Sequence, residues 1–385
     1  MKKITFAVVM LLAVAMVAVA CAPAPAQQSA SDVPAASESA AASESGAAGE
    51  EASAPAEGAQ VKPLKVGLSN TFMYPWRAQM IDDVLRVFEN YKGKGWVEGD
   101  LIVQHAGTDT NAQIAQIRNM VNDGIDVLLI NPISADGLNE VAEEAVAKGV
   151  TVVAFDQAIS AEGVHNVTID HYTWGYQYAD WLANAIGKEG EVAYIEGTPG
   201  MPANDQRVAG WKDALAQYPD IKIVGTAVGN WDNPGGQKAA SQLIATNPNL
   251  KGILSMDGMA VGIYNAMKSA NKLDDIVSTG ETQVAGLKEW KTIRDEHPDF
   301  VSFGLVNPPG IGATALGFAV RIAQGKEFQG EWVDGNTYLY DVSVKVDENN
   351  FDEFYTQYVE TEGRPDSYYP DEWMGEEDLD ALFSK

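Results

Sequence analysis

Cysteine is almost absent. One residue, Cys21, in a chain of 385 excludes an internal disulfide framework and any cysteine-rich metal site. Histidine is nearly as scarce: His105, His165, His171 and His297 are scattered with no HxxxH or HExxH pairing, which argues against a zinc hydrolase. Positive charge is short as well, with 26 Lys and Arg against 54 Asp and Glu and a formal net charge of −28. No basic stripe exists to displace counterions from phosphate, so a nucleic-acid partner is excluded. The nucleophile elbow GxSxG, the Walker A loop, GxGxxG and the calcium loop DxDxDG are missing, and Gly197-Thr198-Pro199-Gly200 is too short for a phosphate loop. The reading that follows is a protein without catalytic activity, metal or cofactor. What remains is ample apolar content, 46%, in a length that suits two domains with real cores.

The N-terminus carries an address. Lys2 and Lys3 precede an almost unbroken apolar run at 4–20, with small residues at Ala18 and Ala20. This is the pattern of a secretory signal peptide, expected to span 1–20 and not to belong to the fold. The tetrad Ala18-Val19-Ala20-Cys21 resembles the lipobox of bacterial lipoproteins, with Ala where that family more often has Leu. The resemblance implies cleavage before Cys21, lipidation of its thiol and anchoring to the outer face of a membrane. Residues 22–60 carry six acids, no Lys or Arg and no aromatic, so they cannot bury enough apolar surface to offset the entropy of ordering. Residues 21–60 therefore read as a lipidated cysteine followed by a tether, with an r.m.s. reach of about 35 Å for a flexible coil.

From Val61 the chain alternates short β-branched runs with amphipathic stretches. Strands are expected at 64–69, 101–105, 127–130, 150–155, 191–195, 222–228, 252–255, 276–279 and 301–306. Helices are expected at 76–91, 111–123, 138–148, 174–186, 205–218, 235–246, 261–269, 285–294 and 311–324. Runs such as Val127-Leu128-Leu129-Ile130 are apolar throughout, as strands covered on both faces are. The rhythm predicts an α/β protein built of doubly wound parallel sheets, and so many strands fit two sheets better than one. Ligands of such sheets bind beyond the carboxyl ends of the strands. Those ends are polar and aromatic here: Ser69 to Arg77, Asn131-Pro132, Asp156-Gln157, Asn204 to Arg207, Asn230-Trp231-Asp232, Asp257, Glu281-Thr282 and Asn307-Pro308.

The segment 64–77, the turn Ile130-Asn131-Pro132, Ala154-Phe155-Asp156-Gln157 and the placement of Asp257 before a helix resemble the periplasmic sugar-binding proteins of the ribose and galactose type, the type I substrate-binding components of ABC importers. The resemblance covers about 61–346. It implies two α/β lobes joined by three hinge crossovers, lobe one at 61–170 with 308–335 and lobe two at 171–307 with 336–350. The acidic, aromatic segment 351–385 extends beyond the family pattern and is left unplaced. Carried over by position, the ligand-binding set is Asn70, Tyr74, Trp76 and Arg77 from the first loop, Asn131, Asp156 and Gln157 from lobe one, and Asp205, Trp231, Asp257, Glu281 and Asn307 from lobe two and the last crossing. Gln157 stands where the family has an Arg, a guanidinium that Arg77 would supply, and Arg207 matches an Arg read as structural.

Sugar chemistry explains such a set. Each hydroxyl both donates and accepts, and one buried without a partner costs about 1–3 kcal/mol. Asp, Asn and Arg can each meet two adjacent hydroxyls, and aromatic faces cover the C–H surface of the ring at little entropic cost. Plainer roles compete: Asp156, Asp205 and Asp257 could cap helices, whereas Trp96, Trp181, Trp211, Trp290 and Trp332 read as packing. The expectation is a monomeric, extracytoplasmic, lipid-anchored receptor that captures a monosaccharide or polyol and presents it to a membrane permease. The alternatives are a sensor that passes a sugar-like signal to a membrane receptor, and a binder of a nucleoside or amino compound suited to Asp205, Asp257 and Glu281.

Overall fold

The computed structural model describes residues 62–341 and 344–384. The apolar start, Cys21 and the tether lie outside the described residues. The chain first lays down β1 (Val66–Asn70), α1 (Pro75–Gly93), β2 (Ile102–His105), α2 (Thr110–Asn122), β3 (Val127–Ile130), α3 (Asn139–Ala147), β4 (Thr151–Asp156) and β5 (His165–Thr168). It then crosses to α4 (His171–Ala185), β6 (Glu189–Glu196), α5 (Pro202–Leu215), β7 (Asp220–Val228), α6 (Asn233–Thr246), β8 (Leu250–Leu254), α7 (Ala260–Ser269), β9 (Val277–Ser278), α8 (Val284–Glu296) and β10 (Gly304–Leu305). It returns through α9 (Ile311–Ala323) and β11 (Thr337–Leu339), crosses again to β12 (Lys345–Val346), and ends in α10 (Phe351–Tyr355) and α11 (Glu376–Ala381).

Two parallel sheets result, ordered β11-β5-β4-β3-β1-β2 in lobe one and β7-β6-β8-β9 in lobe two, with β10 and β12 forming an antiparallel pair. The apolar runs have the expected cause. Along β3, Val127 and Leu129 enter one core while Leu128 and Ile130 enter another on the opposite face, and β4 divides Val153 and Phe155 from Val152 and Ala154 in the same way. Helix α1 starts at Pro75, which has no N–H to lose there, and buries Trp76, Met80, Val84, Phe88 and Tyr91 along one side. Asp109 caps α2, accepting from the N–H groups of Asn111 and Ala112. Helix α9 is different: every residue from Ile311 to Arg321 is buried. It lies between the sheet and α1, and Leu379 and Phe383 of the C-terminal segment cover its outer side.

The nine expected strands and nine expected helices all form, most within three residues of their predicted ends. Three short strands were not expected. One of them corrects the lobe boundary: β11 pairs with β5, Thr337 opposite Asn166 and Leu339 opposite Thr168, so 336–340 extends lobe one instead of opening lobe two. Three residues at a sheet edge carry no hydrophobic period by which to read them. The crossings at 168–171, 305–311 and, among the described residues, 339–341 and 344–345 lie side by side, joined by the N–H of Tyr340 to Thr168 O at 2.7 Å and that of Val306 to Val344 O at 2.9 Å.

Helices α4 and α5 meet backbone to backbone. A Cβ on Gly175 would stand 2.2 Å from Arg207 O, and one on Gly210 would stand 2.2 Å from Tyr172 O. Overpacking of this kind has no flexible side chain to yield. Gly210→Ala should therefore destabilise the fold by about 1–3 kcal/mol, read as a fall in the urea midpoint. An unchanged midpoint would show that the helices separate freely.

Candidate functional site

The carboxyl ends of both sheets meet at the crossings. Asn70 ends β1, Asn131 follows β3, Asp156 ends β4, Trp231 follows β7, Asp257 follows β8, Glu281 follows β9 and Asn307 follows β10. Asp156 adopts φ 64°, a left-handed conformation that a non-glycine residue holds only under tertiary constraint. Its carboxylate accepts from Asn131 Nδ2 at 3.3 Å and from Asn307 Nδ2 at 3.2 Å. Its carbonyl oxygen accepts from Thr168 Oγ1 at 2.6 Å and lies 2.5 Å from His171 Nε2.

His171 leads on into lobe two. Its Nδ1 accepts from Arg207 Nε at 3.2 Å, so the proton sits on Nε2, facing the Asp156 carbonyl. Burial lowers the imidazole to about 4, and the Arg207 charge adds to the effect; the ring is neutral at ordinary pH. Arg207 Nη1 donates to Asp257 Oδ2 at 3.1 Å, and its guanidinium lies 3.9 Å over the ring of Trp174. The pair is desolvated on both sides, with Arg207 and Asp257 only 2% and 5% exposed. Burial raises Asp257, partly offset by Arg207.

The first loop supplies the aromatic wall. Phe72, Tyr74 and Trp76 form a near-parallel ladder with centroids 5.6 and 6.4 Å apart, and Phe72 faces Trp231 of the other lobe at 6.3 Å. Trp76 donates to Asn307 O at 2.7 Å. Arg77 is buried, lies over the rings of Phe72 and Tyr74, and donates to Asn70 Oδ1 at 3.0 Å. Asn70 is otherwise occupied by His105 Nδ1 at 3.1 Å, so it positions Arg77. Trp231 and its predecessor Asn230 are both left-handed, φ 55° and 57°. The indole of Trp231 lies over Gly197, where a Cβ would come within 2.0 Å of the ring.

Two more predicted residues, after Asn70, have different roles. Gln157 spans the lobes, Nε2 donating to Pro132 O at 3.1 Å and Oε1 accepting from Ala203 N at 3.1 Å. Asp205 is not brought to the cluster: it is exposed and accepts from Gly200 N at 3.0 Å. Helix α5 begins at Pro202, not at 205, so Asn204 turns inward with Arg207 and Trp211 while Asp205 turns out. Sequence reasoning missed Asn204, set Arg207 aside as structural, and dismissed His171 with the scattered histidines. It also missed Tyr369 of the C-terminal segment. The inward period of Asn204, Arg207 and Trp211 was available as a signal; Tyr369 had none.

Buried polar atoms without a partner collect in this network. They include Arg77 Nε, Asn131 Oδ1, Asn204 Oδ1, Asp257 Oδ1, Glu281 Oε1 and Asn307 Oδ1. Native interiors seldom leave such atoms unpaired, so a set of them beside stacked aromatic rings fits a ligand bearing several hydrogen-bonding groups. Among the described residues no cluster of three or more His, Cys, Asp or Glu is placed to hold a metal ion. No described helix is long and apolar enough to cross a membrane.

Glu281 accepts from the N–H of Gly258 through Oε2. Burial raises its carboxyl to about 8, with the nearby Asp257 charge adding to the rise. The native state thus keeps this proton at pH values where the unfolded chain, near the ordinary 4.5, has lost it. Its contribution to stability falls as pH rises from about 4.5 to about 8, by at most about 1.4 kcal/mol per pH unit, and is flat above. Glu281→Gln should gain stability relative to the parent between pH 5 and 8 in urea titrations. A difference that does not change with pH would place an ionised carboxylate at this position.

A profile of the family described as periplasmic binding protein domain matches residues 66–327. The chain is similar to the D-ribose/D-allose-binding protein of Pseudomonas aeruginosa, 31% identical over 47% of this chain and 59% of that protein. It is similar to the xylitol-binding protein of Mycolicibacterium smegmatis, 27% identical over 45% of this chain and 50% of that protein. The aligned part thus spans between half and three fifths of these two relatives, both of them binding proteins. In three dimensions it resembles the crystal structure of an ABC transporter solute-binding protein from Thermobispora bispora, with TM-score 0.71 and 25% identity, covering 82% of this chain and 93% of that one. With the family match running from the first strand to beyond α9 and the two-lobed parallel-sheet architecture held in common, the chain belongs to the periplasmic binding protein domain family and has its type I fold.

Proposed function

We propose that this protein captures one neutral monosaccharide or related polyol between its lobes and delivers it to the permease of an ABC importer. The observation that carries the reading is the set of unpartnered buried donors and acceptors on both lobes, next to the Phe72, Tyr74, Trp76 and Trp231 rings. Sugar hydroxyls satisfy mixed donors and acceptors, and their C–H faces suit aromatic walls. The ribose, allose and xylitol named for its relatives are of this class.

Charge favours a neutral ligand over an amine. The cluster holds the carboxyls of Asp156, Asp257 and Glu281 and the guanidiniums of Arg77 and Arg207. Burial raises Glu281 to about 8 and Arg207 already holds Asp257, so the cluster offers no bare pair of carboxylates to a cation. The signal-like apolar start and Cys21 support an extracytoplasmic receptor held to the membrane by lipid, working as a monomer on the end of its tether.

A thermal-shift screen against pentoses, hexoses, polyols, nucleosides and amines tests this reading. A ligand at 100 times its Kd stabilises by about 2.7 kcal/mol, so one or a few neutral sugars or polyols should raise Tm clearly. Asp156→Asn, which keeps the shape of the side chain, should abolish most of that rise. A response confined to amines or nucleosides overturns the sugar assignment.

A further inference from the structure

The C-terminal segment belongs to neither sheet, yet it grips both lobes. Its first part lies on lobe two: Phe351 packs 4.5 Å from Trp290 of α8, and Asp352 pairs with Arg294. The carbonyl oxygens of Asp366 and Tyr368 then accept from the N–H groups of Ala285 and Val284 at 3.0 and 2.9 Å. Those are the free donors of the first turn of α8, which has no side-chain cap of its own. On lobe one, Gln79 of α1 holds the backbone of Tyr369 from both sides, donating to its O and accepting from its N, each at 2.9 Å. Asp371 accepts from the N–H of Gly310 at 2.6 Å, capping α9, and the chain continues to Asp380 beside Arg321. The segment is a fourth crossing between the lobes, fastened by one helix start on each.

Tyr369 stands at the crossing itself. It is 2% exposed, and its hydroxyl has no partner. A Cβ on Gly258 would lie 3.6 Å from that hydroxyl, and Gly258 is the residue after Asp257 whose N–H binds Glu281. The phenol therefore points at a turn where Asp257 Oδ1 and Glu281 Oε1 are also unpartnered. A phenylalanine would fill the same space, so packing gives no reason for a hydroxyl here. Three unpaired oxygens, from two loops of lobe two and one crossing strap, lack a common partner.

We infer that Tyr369 is a ligand-binding residue: the C-terminal strap completes the cleft, and its phenol exchanges a hydrogen bond with a ligand hydroxyl held near Asp257 and Glu281. The inference rests on the sugar or polyol reading of the cleft. It makes the site one of three chain segments, two lobes and a strap, where the resemblance in sequence implied two.

The test uses the full chain and isothermal titration with D-ribose, D-allose and xylitol, followed by the deoxy analogues of whichever binds most tightly. Tyr369→Phe should weaken that ligand about 5- to 30-fold, as loss of one buried hydrogen bond does, and leave the Tm of the free protein nearly unchanged. For the analogue lacking the hydroxyl that meets Tyr369, the same substitution should change Kd less than twofold. Gln79→Ala, which frees the Tyr369 backbone without touching its ring, should weaken the parent sugar as well, and its effect should not add to that of Tyr369→Phe. An unchanged Kd for the parent sugar in Tyr369→Phe makes the residue a packing element and overturns the inference alone. A tighter Kd makes it a plug that competes with the ligand and also overturns it. Failure of the unsubstituted protein to bind these three or any other neutral sugar or polyol of the thermal-shift screen overturns the underlying reading, and the inference with it.

Discussion

The hydrogen bonds that tie the crossings to both lobes converge on the backbone and carboxylate of Asp156. The residue ends a central strand in a left-handed conformation, costing about 1–3 kcal/mol for a non-glycine. In return it fixes three stretches of chain at once. Its carboxylate takes Asn131 from lobe one and Asn307 from the second crossing, and its carbonyl takes Thr168 and His171 from the first. His171 in turn orients Arg207, and Arg207 holds Asp257. A displacement at either crossing thus reaches the far lobe's carboxylate through a chain of hydrogen bonds without an intervening loop.

Burying so much charge is expensive unless it is compensated. Removing one member of a desolvated ion pair typically costs about 3–5 kcal/mol, because the other is left uncompensated. Arg207 is therefore enclosed completely, with His171, Asp257 and the face of Trp174 around it. Arg77 is buried as deeply but hydrogen-bonded less fully: Asn70 takes one nitrogen, two rings lie against its plane, and Nε is left over. The two guanidiniums divide the labour. One holds the architecture, while the other keeps a donor that no protein group takes.

Most of the frame was legible because its signals are local. A strand covered on both faces must be apolar throughout, and the helix that follows must carry one apolar stripe, so Val127 to Ile130 and the stripe of Trp76, Met80 and Val84 declare themselves. Strand ends were legible for the same reason. What escaped depends on partners distant in the chain. Strands β11 and β12, with three and two residues, exist only because an edge is there to receive them. Asp205 was chosen by position along a family pattern, and a shift in the start of α5 was enough to exchange it for Asn204. The role of 351–384 was hidden, although the mostly apolar α9, buried on every side from Ile311 to Arg321, was a sign that something must cover it.

The lobes also touch one another directly. Gln157 reaches Ala203 across the cleft, and Phe72 lies flat against Trp231. Each such contact shifts the balance between open and shut toward shut before any solute arrives. A receptor poised in this way loses less affinity to the rarity of its competent form, since apparent Kd scales inversely with the fraction already competent. Under the proposed function, the same bias also presents a shut but empty form to the permease. The strength of contacts such as those of Gln157 and Phe72 thus sets sensitivity against fidelity.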